Sequence, residues 1–361
     1  MSPSLRFPEF TGEWEKCKIE DITDAVSSGK SKNHFSNGEY NLYGSTGIIG
    51  RTDKALYDGK LVLVARVGAN AGFLQIINEP CGITDNTLIL KPKGIDAFYL
   101  YYFLQHFNLN RLIFGSGQPL ITGGMLKKVK VSLGTISEQS KIVKFLSLLD
   151  ERIATQVRLI EDLKKLRCAI VEKMFKQSKA NGRLGDFIEQ VSVRNKNGLY
   201  SNVLSVSNKQ GFVKQSEQFE DRTVASEDTS NYKIVKRNNF AYNPARINVG
   251  SIARLTKFDV GIVSPMYVCF RTKASIIPEY MEAFFTSQQF FYEMMKRLEG
   301  SVRLCLSYEG LCNIPVYIPD MNKQIAMGQN ISLILSKIGL EIEYLGRLHQ
   351  QKQYLLRKIF I

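Results

Sequence analysis

Two stretches of the chain carry an apolar rhythm that suits a long helix. In the first, Ile142, Leu149, Leu163 and Ile170 recur on one heptad position and Leu146, Ile153, Ile160 and Met174 on the other, with Gln156 and Arg167 as polar interruptions. In the second, Ile331, Ile338, Leu345 and Ile359 alternate with Leu335, Ile342 and Leu356, interrupted by His349 and Lys352. Two-sided seams of this kind predict coiled-coil partners, and polar residues within them fix register. Either seam alone would expose a stripe of Leu and Ile, so the two helices are expected to pair with each other. Each follows its own globular stretch, which makes the pair antiparallel if those stretches sit at opposite ends. A continuous helix of about 40 residues is a rod of roughly 60 Å.

Elsewhere the rhythm shortens. Lys60-Leu-Val-Leu-Val-Ala65, Asn86-Thr-Leu-Ile-Leu90 and Met266-Tyr-Val-Cys-Phe270 are β-branched or aromatic-rich runs bounded by Gly, Asn or Pro, and they predict strands. Phe98-Tyr-Leu-Tyr-Tyr-Phe-Leu104 and Glu279-Tyr-Met-Glu-Ala-Phe-Phe285 hold aromatics at helical spacing. Packing of those rings against a sheet accounts for them better than base stacking does. The order of these features repeats. Ile136-Ser-Glu-Gln-Ser-Lys-Ile142 recurs as Met321-Asn-Lys-Gln-Ile325, with Gln139 answered by Gln324. Upstream, Ala65-Arg66 is matched with Ala245-Arg246, Cys81-Gly82-Ile83 with Val260-Gly261-Ile262, and Gly115-Ser116 with Gly300-Ser301. So long a period means a duplicated domain with its helix rather than a solenoid. The expected fold is α+β: globular domains at 1–136 and 179–319 alternate with helices at 137–178 and 320–361, as an internal pseudo-two-fold repeat with the helices in an antiparallel coiled coil.

Composition narrows the class. At 361 residues and 44% hydrophobic, the chain has room for two independent cores. No apolar run approaches the ~20 residues of a membrane helix, and the opening residues lack the pattern of a secretion signal, so a cytoplasmic protein without membrane partners is expected. Six cysteines at 17, 81, 168, 269, 305 and 312 form no CxxC pair and have only three histidines beside them. Reduced thiols in a core, and no metal site, are the expectation. The net charge of +14 is spread over both globular stretches and both helical ones. A polyanion touched by both halves, most simply nucleic acid, accounts for that spread.

Catalytic signatures are scarce. There is no GxGxxG opening a helix, no GxxxxGK[ST] loop, no GxSxG elbow and no HExxH. Asn243-Pro-Ala-Arg246 lacks the second proline and the aromatic of an amino-methyltransferase motif. Asp58-Gly-Lys60 lacks the upstream acid of a nuclease site and reads as a turn before a strand. Instead the chain has loops rich in Gly, Ser and Asn, notably Tyr43-Gly-Ser-Thr-Gly-Ile-Ile-Gly50, Arg66-Val-Gly-Ala-Asn-Ala-Gly72 and Gly115-Ser-Gly-Gln-Pro-Leu-Ile-Thr-Gly-Gly124. Such loops permit close backbone approach to a ligand and serve tight turns equally well.

The opening Leu5-Arg-Phe-Pro-Glu-Phe-Thr-Gly-Glu-Trp14 with Lys18-Ile-Glu-Asp-Ile22, the Tyr43–Gly50 loop, the run Asp58–Arg66, Thr84-Asp-Asn-Thr87 and above all Ile136–Ile153 resemble the specificity subunits of type I restriction-modification enzymes. The second half departs from the pattern: Lys323 stands where Glu138 does, and the Tyr-Gly-Ser-Thr-Gly loop is missing. The resemblance implies a DNA-reading subunit without chemistry of its own, each domain reading one half of a split site in double-stranded DNA. It also implies that the helices set the gap and dock two methyltransferase subunits, which motor/endonuclease (restriction) subunits can join. S-adenosylmethionine, with ATP and Mg in a full restriction complex, would belong to those partners and no cofactor to this chain. The rival is a stand-alone DNA-modifying or DNA-cleaving enzyme.

Loop residues suited to DNA are Lys30, Lys32, Asn33, Ser45, Thr46, Arg66, Asn70 and Gln118 in the first domain. In the second they are Arg194, Asn195, Lys196, Asn208, Lys209, Arg246, Asn248 and Arg303. Arg, Asn and Gln suit bidentate base contacts, Lys suits phosphate. Arg66 and Arg246 are expected in corresponding places.

Overall fold

A computed structural model describes residues 3–32, 37–113, 118–176, 179–208, 210–218, 228–301 and 303–360. The chain forms two compact units, Met1–Val157 with Glu343–Ile361, and Arg158–Ile342, so packing divides it within the long helices rather than at their ends.

The first unit contains β1 (Glu15–Lys18), β2 (Thr23–Ser28), β3 (Tyr40–Gly44), β4 (Gly47–Thr52), β5 (Lys60–Ala65), β6 (Leu74–Asn78), β7 (Cys81–Ile83), β8 (Thr87–Pro92), α1 (Ala97–Phe107), α2 (Gly123–Lys127), β9 (Lys130–Leu133) and the start of α3 (Ile136–Lys176). One sheet runs β2-β8-β5-β6, antiparallel throughout, and a second runs β4-β3-β7, with β7 parallel to β3. β5 is continuously apolar because it is an inner strand, and five of its six residues are buried. Asp96 starts α1 by accepting hydrogen bonds from the Phe98 and Tyr99 amides. The α1 aromatics Tyr99, Tyr102 and Phe103 are buried in the core, as expected.

Ile142, Leu146 and Leu149 of α3 and Leu348, Leu355, Leu356 and Ile359 of α9 (Met321–Ile359) complete that core. Each fully buried side chain of this kind contributes about 1.5–3 kcal/mol. Asp150 meets Lys352 at 2.6 Å and accepts from the Tyr102 hydroxyl at 2.8 Å, while Arg152 meets Tyr344. The residue numbers run in opposite senses along these two contacts. The polar interruption Lys352 is therefore an ion-pair partner, 14% exposed at its side chain. The amino-terminal strap is tied in by Arg6, whose guanidinium grips buried Glu138 at 2.7 and 2.8 Å, and by Leu5 N–H donating to Lys358 O.

The second unit contains the end of α3, β10 (Gly182–Arg183), α4 (Leu184–Phe187), β11 (Ile188–Gln190), β12 (Val203–Ser207), β13 (Gly211–Lys214), α5 (Gln215–Gln218), β14 (Lys233–Lys236), β15 (Phe240–Tyr242), β16 (Ile252–Arg254), β17 (Val260–Val263), β18 (Val268–Thr272), α6 (Pro278–Phe285), α7 (Gln288–Met295), α8 (Tyr308–Cys312), β19 (Pro315–Val316) and the start of α9. Its sheets run β11-β18-β15-β16 and β13-β12-β17-β14, with β12 parallel to β17. Strand for strand, this is the order of the first unit. β14 stands where that unit has a single antiparallel bridge, Tyr57 to Cys81. Phe240 stacks on Phe270 at 5.2 Å, and both meet Phe285 of α6 edge-on. Arg254, 10% exposed at its side chain, ties β16 to Glu279 and Glu282 of α6.

The repeat shows in side chains too. Gln139 accepts from Asp96 N–H and donates to Gly134 O, while Gln324 accepts from Ile277 N–H and donates to Pro319 O. Two other matches need correcting. Val64 pairs with Leu74 and Tyr242 with Ile252, and Arg66 O accepts from Ile121 N–H as Pro244 O does from Leu306 N–H. Arg66 therefore corresponds to Pro244, not to Arg246. Likewise Thr87 N–H donates to Thr84 O as Tyr267 N–H does to Ser264 O, which moves the match of Cys81 from Val260 to Gly261.

The α3 seam buries Ile142, Leu149 and Ile160 and half-buries Ile153, Leu163 and Ile170. In α9, Ile331, Ile338 and Leu356 are buried and Leu345 half-buried, but Leu335 and Ile342 are 41% and 48% exposed. The inward companion row lies three rather than four residues on, at Ile334, Glu341, Leu348 and Leu355. The apolar stripe of α9 is wide enough to allow either flank, and the chain buries the other one. The cysteines are all free, yet Cys168 is exposed rather than in a core.

Candidate nucleic-acid interface

Most of the predicted residues of the first domain gather at one end of its main sheet, where β2 and β5 finish and β6 and β8 begin. Gly29 N–H donates to Thr87 O, and Arg66 N–H to Asn86 O, both at 2.9 Å. Asn86 O also takes the Ser45 hydroxyl at 3.2 Å, and Gln75 clamps the same hairpin by donating to Gly44 O and Ser45 O. Gly68 N–H donates to Pro119 O, which brings Gln118 beside the Arg66 loop. Ser45, Thr46, Arg66, Asn70 and Gln118 thus share one rim, with Thr46, Asn70 and Gln118 exposed. The Arg66 guanidinium reaches Ser28 Oγ only at 3.4 Å, and its buried Nε has no partner among the described residues.

Below the hairpin, Glu79 accepts from Asn41 and from the Tyr43 hydroxyl. The Asn41 and Tyr43 hydrogen bonds hold the Glu79 carboxyl below the usual range, while burial, then Glu79, push the Tyr43 phenol up. The hairpin therefore stands on a fixed polar base.

Lys30 and Lys32 lie farther along, exposed around a cleft of about 420 Å³ lined also by Ser31, Thr52, Asp53 and Leu56. Lys54 joins them there. Sequence reasoning missed it because Arg51-Thr-Asp-Lys54 looks like any charged turn; only the fold sets it opposite Lys30. Asn33 falls outside the described residues, as does Lys209.

In the second domain, Arg194, Lys196, Asn208, Arg246 and Arg303 are exposed and Asn248 half-buried. The turn carrying Asn208 touches the Arg246 loop: Ser251 Oγ donates to Val206 O, and a Cβ on Gly250 would come within 3.7 Å of the Asn208 Cβ. Leu306 N–H donating to Pro244 O brings the Arg303 segment to the same loop. Arg194 holds Asn231 at 2.9 Å. Asn195 is a correction. Only 2% exposed, it donates to Tyr200 O and accepts from Tyr200 N–H, so its amide orders the loop instead of facing a ligand.

The two stretches weighed as catalytic are turns. Gly59 N–H donates to Asp58 Oδ1 and Ala245 N–H to Asn243 Oδ1. Among the described residues no group of three or more His, Cys, Asp or Glu could hold a metal ion, and no helix is long and apolar enough to cross a membrane.

Comparison with known proteins bears on these loops. Residues 11–165 match the type I restriction modification DNA specificity domain. A Mycoplasma genitalium protein named as a type I specificity subunit is 28% identical over 189 residues, which cover 50% of this chain and 49% of that protein. The MjaVIII specificity subunit of Methanocaldococcus jannaschii is 31% identical over 119 residues, covering 32% and 28%. The chain thus spans about half or less of the curated relatives it matches. In fold it is similar, with a TM-score of 0.64 and 20% identity, to a crystal structure of the type I restriction-modification S subunit from M. genitalium, covering 100% of this chain and 99% of that one. A second structure, from work on complex assembly and conformational transition of the type I system, gives 0.57 and 10% over 97% and 98%. Residues 11–165 are thus similar to the DNA specificity domains of type I restriction-modification systems.

Proposed function

We propose that this chain is the DNA sequence-recognition subunit of a type I restriction-modification complex, with each globular domain, 1–136 and 179–319, reading one half of a bipartite site in double-stranded DNA. The observation that carries this is the specificity-domain match in the first half combined with the same strand order in the second. Each domain presents loops bearing Arg, Asn, Lys and Gln, the chemistry of phosphate and base-edge contacts, and the net charge of +14 favours a polyanion.

The paired helices set the gap between half-sites and dock two methyltransferase subunits. Exposed Leu148, Leu159 and Leu166 on α3, and Leu333 and Leu340 on α9, support a further helical partner, since that much apolar surface on long helices calls for cover. Those partners carry S-adenosylmethionine, and restriction subunits with ATP and Mg join in a full complex. The chain itself contributes recognition and no reaction step.

The test is a domain exchange. Replacing residues 1–136 by the corresponding domain of another specificity subunit, in complex with the methyltransferase subunits, is expected to change one half of the methylated site and leave the other. Mapping of modified adenines that found both halves altered, or neither, would overturn the modular assignment. Methylation or cleavage by the purified chain alone would favour a self-sufficient enzyme.

A further inference from the structure

The loops that follow β5 and β15 are one loop in two copies. Arg66-Val-Gly-Ala-Asn-Ala-Gly-Phe73 and Pro244-Ala-Arg-Ile-Asn-Val-Gly-Ser251 have equal length and share part of their backbone bonding, while the corner amides differ: Gly72 and Phe73 donate to Ala65 O and Asn70 O, Gly250 and Ser251 to Ile247 O and Arg246 O. Ala65 N–H donates to Phe73 O as Asn243 N–H does to Ser251 O, and Ala71 N–H to Gly68 O as Val249 N–H does to Arg246 O. The Arg66 and Pro244 carbonyls take the matching bonds from Ile121 and Leu306. The corner residue is Gly72 at φ 88° in one copy and Gly250 at φ 89° in the other, in the left-handed region that glycine adopts without strain.

Superposed on this frame, the cations do not coincide. Arg66 takes the seat of Pro244, and Arg246 the seat of Gly68. The asparagines do correspond, because Asn70 and Asn248 share the fifth position of the loop. Asn70 is exposed, Asn248 is half-buried, and neither side-chain amide has a hydrogen-bond partner among the described residues. Asn70 also opens onto a polar cleft of about 490 Å³ that Phe73, Gln105, Asn108 and Asn110 help to line. A side-chain amide left unpaired on a glycine-hinged loop offers one donor and one acceptor side by side. That pair complements the N6 amino group and N7 of adenine in the major groove.

We propose that Asn70 and Asn248 occupy one seat in the two copies of a duplicated reading loop, and that each reads one adenine in its own half-site. Arg66 and Arg246, on different seats, then supply contacts that differ between the domains. The inference rests on the DNA-reading function proposed above and adds the residue, its base and the equivalence.

The test uses the full chain with its methyltransferase subunits, on a duplex bearing the wild-type site and on duplexes changed at each base pair in turn. Asn70→Ala should slow methylation of the wild-type site about 5- to 150-fold, the range of one bidentate base contact, and abolish discrimination at a single A·T pair of one half-site. Asn248→Ala should do the same in the other half only. Asn70→Asp and Asn248→Asp keep the shape but present acceptors alone, and should shift preference at that position towards a cytosine-bearing pair. Unchanged discrimination at wild-type rate, or loss at a G·C pair, in folded variants overturns the assignment. A wild-type complex that methylates no bipartite site overturns the underlying function instead, so the two failures are distinct.

Discussion

Gln139 and Gln324 offer the sharpest test of how each domain is joined to its long helix. Both are almost fully buried, at 2% and 1% exposure. Gln139 makes two hydrogen bonds, from Asp96 N–H at 3.2 Å and to Gly134 O at 3.0 Å. Gln324 makes three, from Ile277 N–H at 3.0 Å and to Ser275 O and Pro319 O at 3.1 and 3.0 Å. Asp96 and Ile277 are the residues from which α1 and α6 begin, so each glutamine satisfies a helix-start donor that nothing else in the helix can. At about 1 kcal/mol per bond, with more for a buried group left unpaired, Gln139→Ala should cost ~2 kcal/mol and Gln324→Ala ~3 kcal/mol. Leucine at either position fills the volume, keeps water out and offers no bond, so Gln139→Leu and Gln324→Leu should cost at least as much as alanine.

Two measurements separate the effects. Amide hydrogen exchange should accelerate at Asp96 in the first variant and at Ile277 in the second. Trp14, the only tryptophan and 5% exposed against Tyr99, reports the first unit in a urea titration and should show the Gln139 variants directly. Neutral leucine variants beside costly alanine ones would mean that volume, not hydrogen bonding, matters at these seats. Costs below about 0.5 kcal/mol for both residues, or a larger cost at Gln139 than at Gln324, would refute the bond count outright.

Other consequences follow from the same structure. Lys30→Ala, Lys32→Ala and Lys54→Ala, combined in the assembled complex, should flatten the dependence of log K on log salt by up to about 0.9 per lost phosphate contact and leave the recognised sequence unchanged; an unaltered slope removes the lysine cleft from the interface. Gly72→Ala meets both a left-handed backbone and side chains of Leu109 and Asn110 at 3.2 Å, whereas Gly250→Ala meets only the backbone problem, its nearest neighbour being 3.7 Å away. Each should lose about 1–2 kcal/mol of stability for the backbone alone, with Gly72→Ala the worse in thermal unfolding. Burial pushes the Cys81 and Cys269 thiols up to about 12. A folded-state value above the unfolded one gives stability that is complete below about pH 9 and lost as pH climbs towards 12, so urea midpoints should fall through that window and less steeply in Cys81→Ala.

How far the fold was legible depended on what each signal was made of. Burial at both faces wrote β5 into the sequence as an unbroken apolar run, and α1 was equally plain from aromatics at helical spacing. The pairing of β12 with β17, fifty-nine positions away, or the insertion of β14 beside it, has no local trace. The α9 seam failed on one point for a physical reason. Leucine or isoleucine stands on both flanks of the helix, at 334 and 335 and again at 355 and 356, so periodicity could not choose the flank that faces inward. Asn195 failed differently: a polar loop residue looks the same in sequence whether its amide faces a ligand or closes a turn with Tyr200.

The misplaced match of Arg66 with Arg246 bears most directly on function. Identity of two adjacent letters, Ala-Arg, drew the halves together two residues out of register, while the backbone bonds put Pro244 in the Arg66 seat. The exchange has a cost that locates it. Arg66 N–H donates to Asn86 O, and proline has no N–H to offer the equivalent carbonyl, that of Met266. Met266 is 56% exposed, and water is available at such a residue to replace the missing donor. The second copy can therefore give up a bond that the first uses to fix its arginine. It carries its cation two residues on, where Gly68 stands in the first, without disturbing the corner glycine or the asparagine between. Under the proposed function, a loop that moves its charge while keeping its asparagine and its corner glycine is a physical route by which two copies of one domain come to read different half-sites.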